Sequence, residues 1–387
     1  MKRIPAIDTL RGIVVVIMTL DHTRDLMHYN PLELNPTDLS TTTVWLFLTR
    51  WVTHLCAPSF VFLAGTSAYL SSSLGESEAE LRLFLFKRGL WLIFVNFTIN
   101  NFGIFFDLHF SVLFAQVIAV IGFGLIALGV LLSLSVRTIG MIGISIIAGH
   151  NLLQGVFNPS NQIMNIGWTY LMSKGYFQLT PNTGLLISYA IIPWTGILFA
   201  GYGFGSILTS STAGESQRVL LIGLFAVFAF LILRYINLYG DPSPWSSQKD
   251  TLFTILSFIN TTKQPPSLLF ALMTLSLAII LLYVFSTVDN RCTRSLAIYG
   301  KVPLFYWLVH WYVLHIIALV YYWVRGYHLA DLQFMGMGFG RPANGDGMPL
   351  WQIYLTWIVI VLLLYPAMKW FGSLKMKYKS ETWVKYL

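Results

Sequence analysis

Ten apolar blocks of about 20 residues, separated by short polar connections, restrict the fold of this chain more than any other feature. They run over 9–28, 44–73, 83–105, 110–134, 138–157, 184–209, 217–238, 266–287, 300–324 and 350–372. About 20 helical residues cross the hydrocarbon core of a bilayer. Inside lipid every backbone N–H and C=O must be paired within its own segment, so each block is expected to be a helix. Charged residues make up 10% of the chain, against roughly 25% in soluble domains, which is too few for a water-facing surface. The expected fold class is all-α: a polytopic membrane helical bundle of about ten transmembrane helices. Residues 1–387 are expected to form a single integral-membrane domain.

Alternating the connections between two sides puts fifteen Lys and Arg on one side and eight on the other, with Arg11 inside the first helix. The positive-inside rule makes the richer side cytoplasmic and places both termini there. Four longer connections, near 29–43, 158–183, 239–265 and 325–349, then face the opposite side. The first apolar run carries Asp21 and His22 and lacks a small-residue cleavage site, so it is read as a retained helix and not a signal peptide. The net charge of +8 sits in short segments at helix ends, not in a basic stripe interleaved with aromatics, which argues against a nucleic-acid partner. Two cysteines, Cys56 and Cys292, argue against a disulfide framework or a cysteine metal site. With no zincin spacing either, no metal is expected.

Ionisable groups inside spanning helices are costly and usually face a bundle interior or a wet cavity. The first helix is the richest, with Asp8, Arg11, Asp21, His22, Arg24 and Asp25. Arg11 and His22 are 11 residues apart, which returns them to within roughly 20° of one face, about 16 Å apart along the axis. An imidazole at mid-depth is a candidate general base, and Asp25, at i+3, is better placed than Asp21 to orient it. The competing reading is an interfacial anchor of His, Arg and Asp. The second block adds Arg50 and His54 at i,i+4, then Pro58, which kinks the helix, and Gly65-Thr66-Ser67, which read as close packing. Lys263-Gln264-Pro265-Pro266-Ser267 opens the eighth helix and offers a cationic N terminus for an anion, or simply a stiff start to that helix. Pro193 to Gly196, with Gly201 and Gly205, read mainly as packing. His310 and His315 point in different directions, and His310, near the midplane, is a further site candidate.

Six of these stretches carry a family resemblance. Ile7-Asp8-Thr9-Leu10-Arg11-Gly12, the Asp21-His22 pair and Cys56 to Ser67 resemble the catalytic domain of heparan-alpha-glucosaminide N-acetyltransferases. Pro193-Trp194-Thr195-Gly196, Pro265-Pro266-Ser267-Leu268-Leu269 and Gly300-Lys301-Val302-Pro303-Leu304-Phe305-Tyr306 resemble later blocks of its bacterial relatives. The Arg11 and His22 pair is also similar to the first-helix signature of the wider transmembrane acyltransferase superfamily, where the histidine is implicated in catalysis. The resemblance implies a membrane-embedded acyltransferase. It would move an acyl group, usually acetyl, from a cytosolic acyl-CoA to an amine or hydroxyl of an extracytoplasmic glycan or related acceptor. His22, with Asp25 and Asp21, is then the catalytic group, and Arg11 and Arg50 hold the anionic donor. His54, Lys263, Gln264 and Ser267 are grouped with the donor, Arg24 and His310 with the acceptor. In the animal enzymes an asparagine stands where His22 stands, and the reactive histidine follows in the first extracytoplasmic loop, where this chain has His28. Both histidines are therefore candidates, with His22 favoured because it shares a face with Arg11. No counterpart of the animal proteins' N-terminal luminal domain is seen, which points to a bacterial inner membrane. The partners expected are the lipid bilayer, acyl-CoA and a glycan or small polar acceptor, with a homodimer as one assembly open to the chain. A transporter of a polar solute, or an acyl-group exporter making no covalent change, is the alternative, although neither inverted repeats nor broken midplane helices stand out.

The charge split makes a direct prediction. In a cysteine-free background, Ser77→Cys should resist a membrane-impermeant thiol reagent in intact cells, and Ser40→Cys should react; labelling at position 77 would reverse the topology.

Overall fold

The computed structural model describes residues 4–29, 35–72, 77–157, 159–209, 215–379, 381, 384 and 386. Of the fifteen cations assigned to one side, Lys2, Arg3 and Lys385 lie outside the described residues, as does part of the 29–43 connection. The chain begins with α1 (Pro5–Met27), α2 (Val44–Thr53), α3 (Cys56–Ser72) and α4 (Glu78–Val95). A π-helical turn (Asn96–Asn100) leads into α5 (Asn101–Phe105), strand β1 (Val112–Ala115), α6 (Val117–Leu131), α7 (Val136–Gly149) and α8 (Gln162–Met172). The hairpin β2 (Gly175–Thr180) and β3 (Thr183–Ile187) precedes α9 (Ile191–Leu208), α10 (Glu215–Ile236), α11 (Thr251–Ile259) and α12 (Leu268–Thr287). Then follow α13 (Arg291–Gly300), α14 (Pro303–Val324), the short β4 (Leu332–Gln333) and β5 (Arg341–Pro342), and α15 (Leu350–Lys377).

The fold is a polytopic helical membrane bundle. Eight segments among the described residues are long and apolar enough to cross a bilayer, and α6 is a shorter apolar helix. Helix α1 is long enough but too charged to count among them, and the packing shows why that is tolerated. It is the central helix, buried along most of its length and surrounded by α2, α3, α12, α13, α14 and α15. Trp357 of α15 donates to the Val16 carbonyl (2.7 Å), and the hydroxyls of Thr19 and Tyr306 of α14 are 2.6 Å apart. Lipid instead meets α10 and α15, whose Phe225, Phe228, Leu355 and Leu362 are exposed.

Two apolar blocks do not begin as helices. The start of 110–134 is β1 and the start of 184–209 is β3, joined in a three-stranded sheet of order β1-β3-β2. An apolar run does not by itself distinguish a buried strand from a helix. The free edge of β1 is met by side chains instead of by a fourth strand. Asn101 Nδ2 donates to the Val112 carbonyl (2.9 Å) and its Oδ1 accepts from Phe114 N (2.8 Å), while Asn96 Nδ2 donates to the Phe114 carbonyl (2.8 Å). Residues five apart diverge by about 140° on an α-helix, and the π turn, whose bonds run i to i+5, brings Asn96 and Asn101 to the same strand.

The 44–73 block breaks at His54 and Leu55, between α2 and α3. Pro58 lies four residues past His54, and a proline both lacks an N–H and crowds the carbonyl at i−4, so the kink falls there. Beyond it, α3 runs against α9 at close range. A methyl group on Gly65 would lie 1.9 Å from the Leu198 carbonyl oxygen, and one on Gly201 would lie 2.0 Å from that of Phe62. Thr66 Oγ1 donates across the same contact to the Gly201 carbonyl (2.9 Å). The four longer connections meet at the end of the bundle that carries the C terminus of α1. Asn260 donates to the Thr37 carbonyl (2.9 Å), Gly336 N to Ser111 Oγ (2.8 Å), Gly184 N to the Ser111 carbonyl (2.9 Å), and Met348 N to the Met27 carbonyl (2.6 Å).

Gly65→Ala should therefore lower thermal stability in detergent by an amount equivalent to about 1–3 kcal/mol, the usual cost of overpacking. Gly372→Ala, where an added methyl meets nothing within 4 Å, should leave it unchanged. Equal melting of the two variants would remove the α3–α9 contact as a determinant of stability.

Candidate active site

Three features are arranged along α1. Near its N terminus Arg11 reaches α3, where Nη2 donates to the Leu63 carbonyl (3.3 Å) and to Ser67 Oγ, with Asp8 4.0 Å from Nη1. Arg11 lines a cavity of about 400 Å³ that also takes in Asp8, Arg88, Lys301 and Lys375. Four cations and one carboxylate thus border a space whose other walls, apart from Ser67 and Ser71, are apolar, including Phe60, Ala64, Leu92 and Ile118. Trp307 of α14 is part of this lining, and its indole N–H donates to Asn100 Oδ1 at the end of the π turn (2.6 Å).

His22 packs against the same Trp307. The two rings meet edge to face at 5.5 Å, and Trp311 stacks on His22 at 4.1 Å with 20° between planes. Nδ1 of His22 is 2.7 Å from Nε2 of His310, which is fully buried. Trp307, His310 and Trp311 stand at i, i+3 and i+4 on α14, so one helix face supplies the whole aromatic wall. Arg11 thus turns to α3 and the cavity, and His22 to α14.

Beside His22, Asp21 sits in a cluster of cations. It pairs with Arg50 of α2, and its Oδ1 is 2.8 Å from Arg24 Nη2; Arg24 also pairs with Asp25. Lys263, half-buried in the turn before α12, is close enough for its charge to act on Asp21, His22 and Arg50. His54 packs edge-on against Phe270, and its Nδ1 has no hydrogen-bond partner among the described residues.

Several expectations for individual residues change. Asp25 is half-exposed and bound to Arg24, so the residue that meets His22 is not Asp25 but His310, from a helix 288 positions away. The six residues grouped with the donor do not form one site, because Arg11 lines the cavity while Arg50, His54, Lys263, Gln264 and Ser267 are not part of its lining. Ser267 is the N-cap of α12, accepting from Phe270 N (2.9 Å) and donating to Asp241 Oδ2 (2.6 Å), so the anion at that helix N terminus is the chain's own Asp241. His28 is the buried C-cap residue of α1 and not a free loop residue; its Nδ1 donates to the Tyr29 carbonyl (2.8 Å). The structure adds Arg88, Lys301, Lys375, Asn100, Trp307 and Trp311 to the residues around the cavity and His22. The i, i+3, i+4 spacing around His310 was a visible signal, whereas the three cations read only as topology markers.

The sequence matches the family described as heparan-alpha-glucosaminide N-acetyltransferase, catalytic, over residues 3–234, more than half of the chain. The chain belongs to this family. Among curated proteins none matches it. Membership makes the chain a multi-pass membrane protein of the acetyltransferase class. The match holds Arg11, His22, Arg50 and Arg88, while Lys301, Trp307 and His310 come from the part of the bundle beyond it. Among the described residues no group of three or more His, Cys, Asp or Glu could hold a metal ion.

Removing one member of a buried ion cluster leaves the rest uncompensated, at about 3–5 kcal/mol. Asp21→Asn should destabilise the purified protein by that order, and Arg50→Met in the same chain should recover part of it. Additive losses in a double-mutant cycle would show that the pair is not coupled.

Proposed function

We propose that the chain transfers an acetyl group from acetyl-CoA, entering from the cytoplasmic side, to an amine or hydroxyl of a glycan or small polar acceptor on the other side. His22 is the general base. The observation that carries this reading is that Trp307 both lines the cationic cavity and packs against His22. The cavity suits a polyanionic donor. Arg11, Arg88, Lys301 and Lys375 offer charge-assisted contacts to phosphates, and the apolar lining suits a pantetheine arm. An acetyl thioester extended toward Trp307 would come within reach of His22.

In the step itself the acceptor amine attacks the thioester carbonyl. The new C–N bond forms and the C–S bond breaks, the proton released from nitrogen passes to His22, and His22 returns it to the departing thiolate. An amine is the acceptor that the family's description favours. The excess of cations around Asp21 gives the acceptor side a polar, positively charged approach. The whole chain acts as one domain, since the base comes from α1 and its aromatic wall from α14. The charge distribution favours both termini in the cytoplasm.

Two measurements test this. By calorimetry, Lys301→Ala and Arg11→Ala should each weaken acetyl-CoA binding by about 1.5–3 kcal/mol, the range for hydrogen bonds to a charged group. His22→Ala should lower turnover by about 10² to 10⁴ and leave acetyl-CoA affinity and melting temperature near wild type. Full activity in His22→Ala, with activity lost in His28→Ala, would move the base to the end of α1. No acetyl-CoA binding by the wild-type chain would remove the donor assignment.

A further inference from the structure

The contact between His22 and His310 carries information beyond proximity. His310 Nδ1 lies 3.1 Å from the backbone carbonyl oxygen of Tyr306, one helical turn earlier. A carbonyl oxygen only accepts, so the proton in this bond is on His310 Nδ1. A second proton on the ring would make a fully buried cation at bilayer depth, which is costly. Nε2 of His310 therefore carries a lone pair. The 2.7 Å contact with His22 Nδ1 then requires the proton between them to belong to His22. In neutral His22 this leaves Nε2 unprotonated. The ring is held in this orientation by Trp311 stacked on one face and Trp307 at its edge.

We infer that His310 is a positioning residue that locks His22 in the Nδ1–H tautomer and so makes Nε2 the nitrogen that takes the proton. This rests on the reading of His22 as the base and deepens it. When Nε2 accepts the proton of the acceptor, the Nδ1–H bond to His310 stays in place and becomes charge-assisted, so the imidazolium is stabilised where it forms. His310 does not carry the proton onward, because its own Nδ1–H is already engaged by Tyr306. It differs from the carboxylate of a hydrolase triad in being neutral, and so orients the base without adding a negative charge.

Nitrogen-15 NMR of the full chain, labelled at histidine and reconstituted in lipid, tests this directly. The His22 signals are identified by their loss in His22→Asn. In wild type, His22 should show a protonated Nδ1 and a bare Nε2. His310→Gln, whose side-chain oxygen replaces the Nε2 acceptor, should keep that pattern, whereas His310→Leu should give a mixture of tautomers or the Nε2–H form. A wild-type His22 protonated at Nε2, or a pattern unchanged in His310→Leu, overturns the inference. Turnover should follow the same order, with His310→Leu reduced about 10-fold or more in kcat at nearly constant KM for acetyl-CoA, and His310→Gln within a few-fold of wild type. Loss of turnover in His22→Ala with full turnover in His310→Leu would overturn the role of His310 and leave the base assignment standing. Full turnover in His22→Ala would overturn the base assignment, and the NMR pattern would still decide the tautomer.

Discussion

A helix carrying Asp8, Arg11, Asp21, His22, Arg24 and Asp25 cannot face lipid, and the rest of the bundle is organised around hiding it. Six helices surround α1, and the polar groups along it find partners in them: Ser67 for Arg11, Tyr306 for Thr19, His310 for His22 and Arg50 for Asp21. Each of these contacts ties a distant part of the chain to the first 27 residues. The charges that would disqualify α1 as a spanning helix on its own are thus what fixes its neighbours.

This arrangement separates two environments along one axis. Toward the N terminus of α1 the cavity is cationic at its border and apolar within, as suits a long anionic molecule with a neutral arm. Toward the C terminus, Asp21 is outnumbered by Arg24, Arg50 and Lys263. In the proposed transfer the His22–His310 pair and Trp307 form the partition between them. A partition with a titratable ring in it is what the proposed transfer between two sides of a membrane calls for. Donor and acceptor need not cross, and only the acetyl group and a proton change hands there.

The partition is buttressed from behind by polar side chains that stand in for missing backbone partners. Asn96 and Asn101 satisfy the edge of β1, and Asn100 between them accepts from the Trp307 indole. A buried strand edge without such partners would cost several hydrogen bonds, so the three asparagines hold the sheet and the tryptophan in one geometry. The π turn is the local irregularity that makes this possible, since an unbroken α-helix would point Asn96 and Asn101 away from each other.

The helical bundle was legible in the sequence because lipid leaves the backbone few options, and blocks of 20 apolar residues have one common solution. Arg11 and His22 were legible for a similar reason: helical periodicity alone puts residues 11 apart on one face. Pro58 marks the kink, and Gly65 and Gly201 mark close helix packing, but only the structure shows that α3 and α9 are the helices that cross there. Periodicity says nothing, however, about which helix lies opposite. Asp25 looked like the partner of His22 because it is near in sequence, yet it turns to Arg24, while His310 arrives from 288 residues away. Likewise Ser267 and Lys263 read in sequence as an anion site to be grouped with Arg11, but Ser267 caps α12 and donates to Asp241, and Arg11 lies at the other end of α1. The sequence by itself determined the bundle and the polar face of its central helix, because both depend on local spacing and on the solvent. The partners of that face, and with them the protonation of the proposed base, were decided only by the tertiary structure, because they depend on contacts between helices that no local pattern encodes.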